Sequence, residues 1–282
     1  MILVTGSSGL FGRALIGRLS AEERPFATAV GDLRDRAVAD EAIQHGSPTV
    51  VVHLAGGRGK DSSDLYERNV LTTVNVLEAS ARAQHAPAVI VMGSAAEYGP
   101  GSLERLSEDH PLHPVSDYGA AKVAQTTLAL AMGERMSVPV TVLRPFNPVS
   151  PELGRDVALG NARAQLLESP GTTRHLTLGR LDVVRDFVPV ESIVEAIIRA
   201  ADHPLPGEVI NVCSGVGIAI GDIVQAMAAR LGVSVVVGTD PELARIPGGD
   251  AVVGDPARME RLLGLHLRPT ASSLAEVMVP TR

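Results

Sequence analysis

A tyrosine and a lysine stand four residues apart, at Tyr118 and Lys122, in a segment whose apolar spacing predicts a helix over residues 117–136. Residues at positions i and i+4 lie on one face of a helix, so the phenol and the ammonium group can point into one site. A nearby cation favours phenolate and lowers the pKa of a tyrosine from about 10. Such a tyrosine can exchange a proton with a carbinol or a carbonyl oxygen. The spacing therefore predicts an acid–base pair for carbonyl chemistry.

A glycine-rich turn near the start of the sequence predicts the binding of a dinucleotide. Gly6, Gly9 and Gly12 follow the apolar residues 2–4 and open a predicted helix over residues 10–20. In such a turn the first glycine makes the bend, the second lets a pyrophosphate approach, and the third lets the helix pack on the sheet. The amides at the helix N-terminus, where the helix dipole is positive, then receive the phosphates.

The elements that must position these residues alternate along the first half of the chain. Strands are predicted at 2–4, 26–30, 49–53, 88–92 and 140–143, and helices at 10–20, 36–45, 64–84 and 117–136. This alternation predicts an α/β fold with a doubly wound parallel (Rossmann) sheet that binds its ligands at the carboxyl ends of the strands. We expect a Rossmann domain over residues 1–146. A smaller C-terminal substrate lobe is expected over residues 147–282, with the stretch near 190–213 able to return to the main sheet.

Composition excludes several classes of function. A net charge of −7 argues against nucleic acid as a partner, because binding a polyanion requires a basic surface. The single cysteine, Cys213, excludes an internal disulfide framework and a multi-cysteine zinc site, and no other metal site is predicted. No apolar run approaches the roughly 18 residues of a membrane span. Residues 1–20 begin with a strand and not with a targeting sequence, so we expect a cytoplasmic protein without a membrane partner.

The Gly-x-x-Gly-x-x-Gly spacing resembles that of the extended short-chain dehydrogenase/reductase superfamily, the NAD-dependent epimerase/dehydratase family. His53-Leu54-Ala55-Gly56 is similar to the family motif whose backbone lies along the cofactor, Asn69 matches an asparagine of the following helix, and Asp32 matches an aspartate that contacts the adenine. The resemblance thus implies a nicotinamide cofactor. The implied cofactor-binding residues are Gly6, Ser8, Gly9, Leu10, Phe11, Gly12, Arg13, Asp32, Leu33, Arg34, Leu54, Ala55, Gly56, Asn69 and Pro145.

The same resemblance completes the catalytic set with Ser94. In Gly93-Ser94-Ala95-Ala96-Glu97, Ser94 stands at the strand end where the family places the serine or threonine that hydrogen-bonds the substrate oxygen. Dehydratases of nucleotide sugars carry an Asp-Glu pair directly afterwards, and the alanines at these positions argue against dehydration. Glu97 is expected to be a solvent-exposed or supporting residue. His53 is expected to be structural, and Tyr98 to pack beneath the site.

Motifs of the second half resemble those of GDP-4-keto-6-deoxymannose reductases, from residue 178 through an Arg-Asp-Phe motif to residue 188. The resemblance implies substrate contacts from Asn147 and Arg185, and a ketoreductase that transfers hydride from NAD(P)H to a ketone of a nucleotide sugar with Tyr118 as the proton donor. The substrate could instead be a ketone of a larger natural product. Two other functions also stay open: a nucleotide-sugar epimerase with tightly bound NAD and a non-catalytic NADP-sensing protein. The helices at 64–84 and 117–136 resemble a pair that forms a homodimer interface in this family, although the sheet alone could also cover their apolar faces.

One departure from the family pattern bears on the cofactor. Residues 13–31 are too few for the usual helix, second strand, helix and third strand. Either an element is missing or Asp32 also acts at the ribose. Arg13 and Arg34 lie where a 2′-phosphate could be met, which favours NADP and leaves NAD open.

Overall fold

The computed structural model describes residues 1–101, 104–169, 171–244 and 249–280. Its strands are β1 (Ile2–Thr5), β2 (Phe26–Thr28), β3 (Val50–His53), β4 (Ala88–Met92), β5 (Val140–Pro145), β6 (Asn147–Val149), β7 (Thr173–Leu178), β8 (Val184–Pro189), β9 (Val209–Val212), β10 (Gly217–Ala219), β11 (Ser234–Thr239) and β12 (Ala251–Val252). Its helices are α1 (Leu10–Ala21), α2 (Arg36–Gly46), α3 (Ser62–Tyr66), α4 (Thr72–Arg82), α5 (Asp117–Met136), α6 (Ala158–Glu168), α7 (Val190–Asp202), α8 (Ile220–Arg230), α9 (Pro241–Ala244), α10 (Ala257–Leu263) and α11 (Ala271–Met278). A π-helical turn, Glu67–Leu71, joins α3 to α4, and a short 3-10 turn, Ala95–Glu97, follows β4.

Six parallel strands form the large sheet, in the order β2-β1-β3-β4-β5-β9. The strands β1, β3, β4 and β5 are buried along their whole length, as expected for strands covered on both faces. Side chains alternate between the two faces: Val4 and Val52 pack in the core that contains Leu15 of α1, and Leu3 and Val51 pack in the core that contains Ile43 of α2. The doubly wound Rossmann fold predicted from the sequence is confirmed.

The path from α1 to Asp32 contains one strand only. The strand predicted at residues 26–30 ends at Thr28, and Val30 is 83% exposed. β2 pairs with β1 alone and forms the edge of the sheet, so the fully described stretch 13–31 lacks one helix and one strand of the family pattern. As a consequence, Asp32 follows the edge strand directly and lines the same cavity as Gly6.

The second half of the chain forms two further sheets around a second core and also adds a strand and a helix to the large sheet. β6, β8, β10 and β12 form a separate sheet, β7 pairs with β11, and α6, α8 and α11 surround a second hydrophobic core. α7 instead packs in the core of the large sheet, and β9 pairs with β5, from Val142 opposite Val209 to Pro145 opposite Val212. The chain thus returns to the large sheet near 190–213.

Within the described ranges, no helix is both long and apolar enough to cross a membrane. The same residues contain no group of three or more His, Cys, Asp or Glu side chains arranged to hold a metal ion.

Candidate active site

The glycine-rich turn has no room for side chains. A Cβ on Gly6, whose φ is +65°, would lie 2.5 Å from the Ala55 nitrogen, because the exit of β3 passes against the turn. A Cβ on Gly12 would lie 2.2 Å from the Gly6 carbonyl oxygen. α1 begins at Leu10 with no acidic residue in its first turn, and its first amides have no acceptor within the helix. This cradle fits the phosphates of a dinucleotide.

A cavity beside this turn would hold the adenosine part of such a cofactor. It is lined by Gly6, Ser7, Ser8, Ala29, Val30, Gly31, Asp32, Leu33, Arg34, Ala55, Gly56, Arg68 and Thr72. The Arg34 guanidinium donates to both carboxylate oxygens of Asp32, at 2.9 and 3.0 Å, and lowers the pKa of that carboxyl. Asn75 donates to the carbonyls of Leu33 and Arg34 and so fixes this loop. The cavity offers a carboxylate for a ribose 2′-hydroxyl and a guanidinium for a 2′-phosphate.

Arg13, predicted to meet a 2′-phosphate, contacts a residue of the second half of the chain. Its guanidinium forms an ion pair with Glu152 at 2.6 Å and donates to the Ser8 carbonyl. It does not line the adenosine cavity. The partner Glu152 is 139 positions away in the chain, so no local pattern could have indicated this contact.

Asn69, predicted to bind the cofactor, supports the loop after β3. Its side-chain oxygen accepts from the Gly57 amide at 3.0 Å, and its nitrogen donates to the carbonyls of Gly57 and Leu65, both at 2.8 Å. A Cβ on Gly56, whose φ is +140°, would lie 2.7 Å from this amide oxygen. Asn69 is fully buried, and its hydrogen bonds hold Gly56 against the cleft.

The structure brings Ser94, Tyr118 and Lys122 together. Ser94 follows β4, and Tyr118 and Lys122 lie on one face of the first turns of α5, with the lysine nitrogen 5.8 Å from the centre of the phenol ring. Gly119 allows this approach, because a Cβ there would lie 2.5 Å from the Ala96 carbonyl oxygen in the turn after Ser94. Ser116 caps α5 by accepting from the Gly119 amide.

The protonation of the pair differs from the prediction. Burial raises the pKa of Tyr118, while a hydrogen bond with Ser94 and the charge of Arg58 act in the opposite direction. The sequence predicted that Lys122 would lower this pKa. Instead the ammonium group donates to the Met92 carbonyl at 2.8 Å, and burial lowers its own pKa to about 8. At neutral pH the phenol is therefore protonated and can donate a proton.

A second cavity opens beside Ser94. Its lining residues are Ser94, Ala95, Ala96, Gly99, Val115, Ser116, Pro145, Phe146, Asn147, Pro148, Arg185 and Val252. These described residues include no carboxylate and no imidazole. Asn147 donates from its side chain to the Asp186 carbonyl at 3.0 Å, and Arg185 donates to the carbonyls of Val184 and Gly249. The Tyr118 phenol is hydrogen-bonded to Ser94, which lines this cavity.

A third cavity shares Arg185 with the second and adds Arg155 and Arg180 to its lining. Arg180 forms ion pairs with Asp182 at 2.6 Å and Asp250 at 2.8 Å, and all three side chains are substantially exposed. Such exposed pairs contribute little stability, so a bound anion can replace the carboxylates. The two cavities together can hold a ketone at one end and a phosphorylated group at the other.

Glu97 and Arg144 form a buried ion pair behind Ser94. Glu97 is fully buried, so the expectation of a solvent-exposed residue is wrong. The alternative expectation, a residue that supports the site, fits the structure. One carboxylate oxygen accepts from the Ser94 amide at 2.8 Å, and the other accepts from Nε and Nη2 of Arg144 at 2.9 Å. Arg144 also donates to the hydroxyl of the buried Tyr98. The spacing Ser-x-x-Glu is that of a helix capping box and could have indicated the first of these contacts.

Gly12→Ala tests the dinucleotide cradle. The added methyl group would force the turn at Gly6 to shift, and we expect the affinity for NADH and NADPH to fall by about 1–3 kcal/mol, roughly 5- to 150-fold. Titration calorimetry measures this loss. Gly17→Ala is the matched control, because it lies in the same helix and its Cβ would meet nothing within 4 Å. Equal affinity in both variants would contradict the cradle.

A sequence model described as the NAD dependent epimerase/dehydratase family matches residues 2–213. The chain is 28% identical over 275 residues to the GDP-6-deoxy-D-mannose reductase of Pseudomonas aeruginosa. The aligned region covers 93% of this chain and 90% of that protein. It is 28% identical over 282 residues to the GDP-6-deoxy-D-talose 4-dehydrogenase of Aggregatibacter actinomycetemcomitans, with 96% and 93% covered. The structure of RMD from Pseudomonas aeruginosa complexed with NADPH is similar with a TM-score of 0.88 and 26% identity, over 98% of this chain and 97% of that chain.

Proposed function

Since the chain belongs to the NAD-dependent epimerase/dehydratase family, we propose that it is an NAD(P)H-dependent ketoreductase that acts on a nucleotide-linked keto sugar. The observation that carries this proposal is that Ser94 lines a cavity without carboxylates and is hydrogen-bonded to Tyr118, with Lys122 next to the phenol. Elimination of water requires a further acid–base group, and Ala95 and Ala96 supply none. A raised pKa keeps Tyr118 protonated, which is the form that reduction of a ketone needs.

In the proposed reaction, a reduced nicotinamide bound at the glycine-rich turn would be the source of the hydride for the carbonyl carbon. The Ser94 hydroxyl donates a hydrogen bond to the carbonyl oxygen, and Tyr118 transfers its phenolic proton to that oxygen as negative charge develops there. Lys122 places a positive charge on the same side of the cleft. Oriented donors of this type contribute a few kcal/mol each to stabilisation of the transition state.

The nucleotide part of the substrate is proposed from the arginines and from the relatives. Arg155, Arg180 and Arg185 line one cavity, and guanidinium groups bind phosphate oxygens in pairs. Arg185 also lines the cavity at Ser94, so a diphosphate beside it would place the attached sugar near Tyr118. The two relatives named above carry GDP-linked 6-deoxy sugars in their names. A 4-keto-6-deoxyhexose linked to GDP is therefore the first substrate to test.

The test is a screen of cofactor oxidation. Purified protein is mixed with NADPH or NADH and with 4-keto-6-deoxyhexoses linked to GDP, dTDP or UDP, and with polycyclic ketones as the alternative class. We expect loss of absorbance of the reduced cofactor with a nucleotide-linked ketone. If only the polycyclic ketones were reduced, the proposed sugar substrate would be wrong and the protein would be a ketoreductase of natural-product ketones. Tightly bound NAD with interconversion of sugar epimers would instead identify an epimerase, and cofactor binding without any turnover would identify a sensor.

Cofactor choice is proposed to depend on Asp32 and Arg34. In Asp32→Asn the negative charge that repels a 2′-phosphate is removed, and the Arg34 guanidinium loses its strongest ion-pair partner while it keeps the longer contacts with Asp64 and Glu67. We expect the ratio of affinities for NADPH over NADH to rise by about tenfold, measured by titration calorimetry of both cofactors. Asp35→Asn is a suitable control, since Asp35 caps α2. An unchanged ratio in Asp32→Asn would show that these groups do not face the ribose.

We also propose a homodimer through the segments 64–84 and 117–136. Tyr66 and Leu71 in the first segment are 42% and 39% exposed, which supports an interface there. Light scattering of the purified protein tests this proposal, and a monomer would exclude it.

A further inference from the structure

A row of buried polar side chains lies behind Lys122. The lysine donates to Oε1 of Gln125 at 2.8 Å, and Nε2 of Gln125 donates to the Thr73 hydroxyl at 2.8 Å. Thr73 contacts Nε2 of His53 at 3.1 Å, and Nδ1 of His53 contacts the Thr5 hydroxyl at 2.9 Å. None of the five side chains is more than 5% exposed. A buried row in which every group has a partner favours one arrangement of its members.

The directions of these hydrogen bonds follow from Thr73. Its hydroxyl donates to the Asn69 carbonyl at 2.7 Å, so its oxygen accepts from both Gln125 and His53. His53 then carries its proton on Nε2. Burial and the charge of Lys122 lower the pKa of His53 to about 3, which keeps the imidazole neutral. With its donors fixed in this way, the row holds groups in place and does not carry a proton.

The far end of the row reaches the dinucleotide turn. The Thr5 hydroxyl donates to Nδ1 of His53, and its oxygen accepts from the Ala55 amide at 3.1 Å. Thr5 directly precedes Gly6, and Ala55 is the residue against which Gly6 packs. The position of the lysine is therefore linked to the backbone that would carry the cofactor.

We propose that Gln125 is the positioning residue of Lys122. Its amide oxygen accepts a hydrogen bond from the ammonium group, and its amide nitrogen donates to Thr73. The orientation of the amide is thereby linked to the row of side chains that ends at the glycine-rich turn. A lysine has three N–H donors. The Met92 carbonyl and Gln125 take two of them, which leaves the third for a group in the cleft. The role of this third donor in catalysis rests on the proposed function, whereas the positioning of the ammonium group does not.

Few charges act on Lys122 from the elements around it. Glu97, in the turn after β4, raises the pKa of Lys122, and Arg144 of β5 is ion-paired with that carboxylate. His53 of β3 is neutral, and Tyr118 lies on the same helix as the lysine. The α4 side presents the uncharged Thr73. A charge introduced at position 125 would therefore act on the lysine directly, at hydrogen-bond distance.

Two variants of Gln125 test the proposal by shifting the titration of Lys122 in opposite directions. Gln125→Glu places a carboxylate against the ammonium group, and we expect the midpoint of the titration to rise by about 1 pH unit. Gln125→Met removes the acceptor at similar volume, and we expect the midpoint to fall by about 1 pH unit. The nitrogen-15 chemical shift of Lys122 Nζ reports the titration without substrate. The alkaline limb of kcat/KM for ketone reduction is expected to move in the same directions.

Ser80→Ala is the matched control, because it removes a buried hydroxyl that donates to the Val76 carbonyl on α4 and contacts none of the groups above. We expect it to change the melting temperature without moving the titration. Identical Lys122 titrations in wild type and Gln125→Glu would overturn the proposal, even if Gln125→Met fails to fold. Shifted titrations in a protein that reduces no ketone would contradict the proposed function and leave the positioning role supported.

Discussion

Tyr118→Phe is expected to lower kcat for ketone reduction by about 10²- to 10⁴-fold, the usual contribution of a positioned general acid. The substitution keeps the aromatic ring and removes the phenolic hydroxyl that is the proposed proton donor. The affinity for the reduced cofactor is expected to stay within about threefold of wild type, because the glycine-rich turn that would hold it is untouched. Stopped-flow turnover and titration calorimetry measure the two quantities.

Tyr66→Phe is the matched control, since Tyr66 is 42% exposed on α3 and its hydroxyl takes no part in the site. It is expected to keep wild-type turnover. Near-normal turnover in Tyr118→Phe would remove Tyr118 from the role of proton donor. A loss of turnover matched by an equal loss of cofactor affinity would mean that the tyrosine acts in binding.

The parts of the site that the sequence indicated are those set by local patterns. The glycine spacing, the Tyr-x-x-x-Lys spacing and the alternation of strands and helices each span a few residues, and each has one geometric consequence. The predicted helix over residues 117–136 coincides with α5, and the predicted strand over 88–92 coincides with β4. Because parallel strands end at one edge of the sheet, Ser94 and the start of α5 had to lie near the glycine turn.

The parts that the sequence did not indicate depend on contacts between distant residues. Arg13 pairs with Glu152, and Glu97 pairs with Arg144, 47 positions away. Burial raises the pKa of Tyr118, and no spacing in the sequence reveals how deeply a side chain is buried. The partners of Lys122 were not indicated either. Its ammonium group donates to Gln125 and to the Met92 carbonyl and does not point only at the phenol.

Arg144→Met is expected to destabilise the fold by about 3–5 kcal/mol, because it leaves the Glu97 carboxylate buried without its cation. Urea denaturation measures the change in the free energy of unfolding. Arg36→Met is the matched control, since it breaks a partly exposed ion pair with Glu78 and is expected to cost only about 0.2–1 kcal/mol. In Glu97→Gln/Arg144→Met the buried charge is gone, and we expect about half of the lost stability to return. A double variant no more stable than Arg144→Met would contradict this explanation.

The deficit of Arg144→Met is also expected to depend on pH. Burial already raises the pKa of Glu97, and Arg144 acts to lower it, so removing the cation raises this pKa further. A carboxyl whose pKa is higher in the folded than in the unfolded state binds a proton more readily when folded. The variant therefore gains stability relative to wild type as the pH falls through the folded pKa, until the unfolded carboxyl is protonated as well, near pH 4. We expect a larger deficit at pH 8 than at pH 5, and an equal deficit at both would mean that the loss comes from the packing of the Arg144 side chain and not from the charge of Glu97.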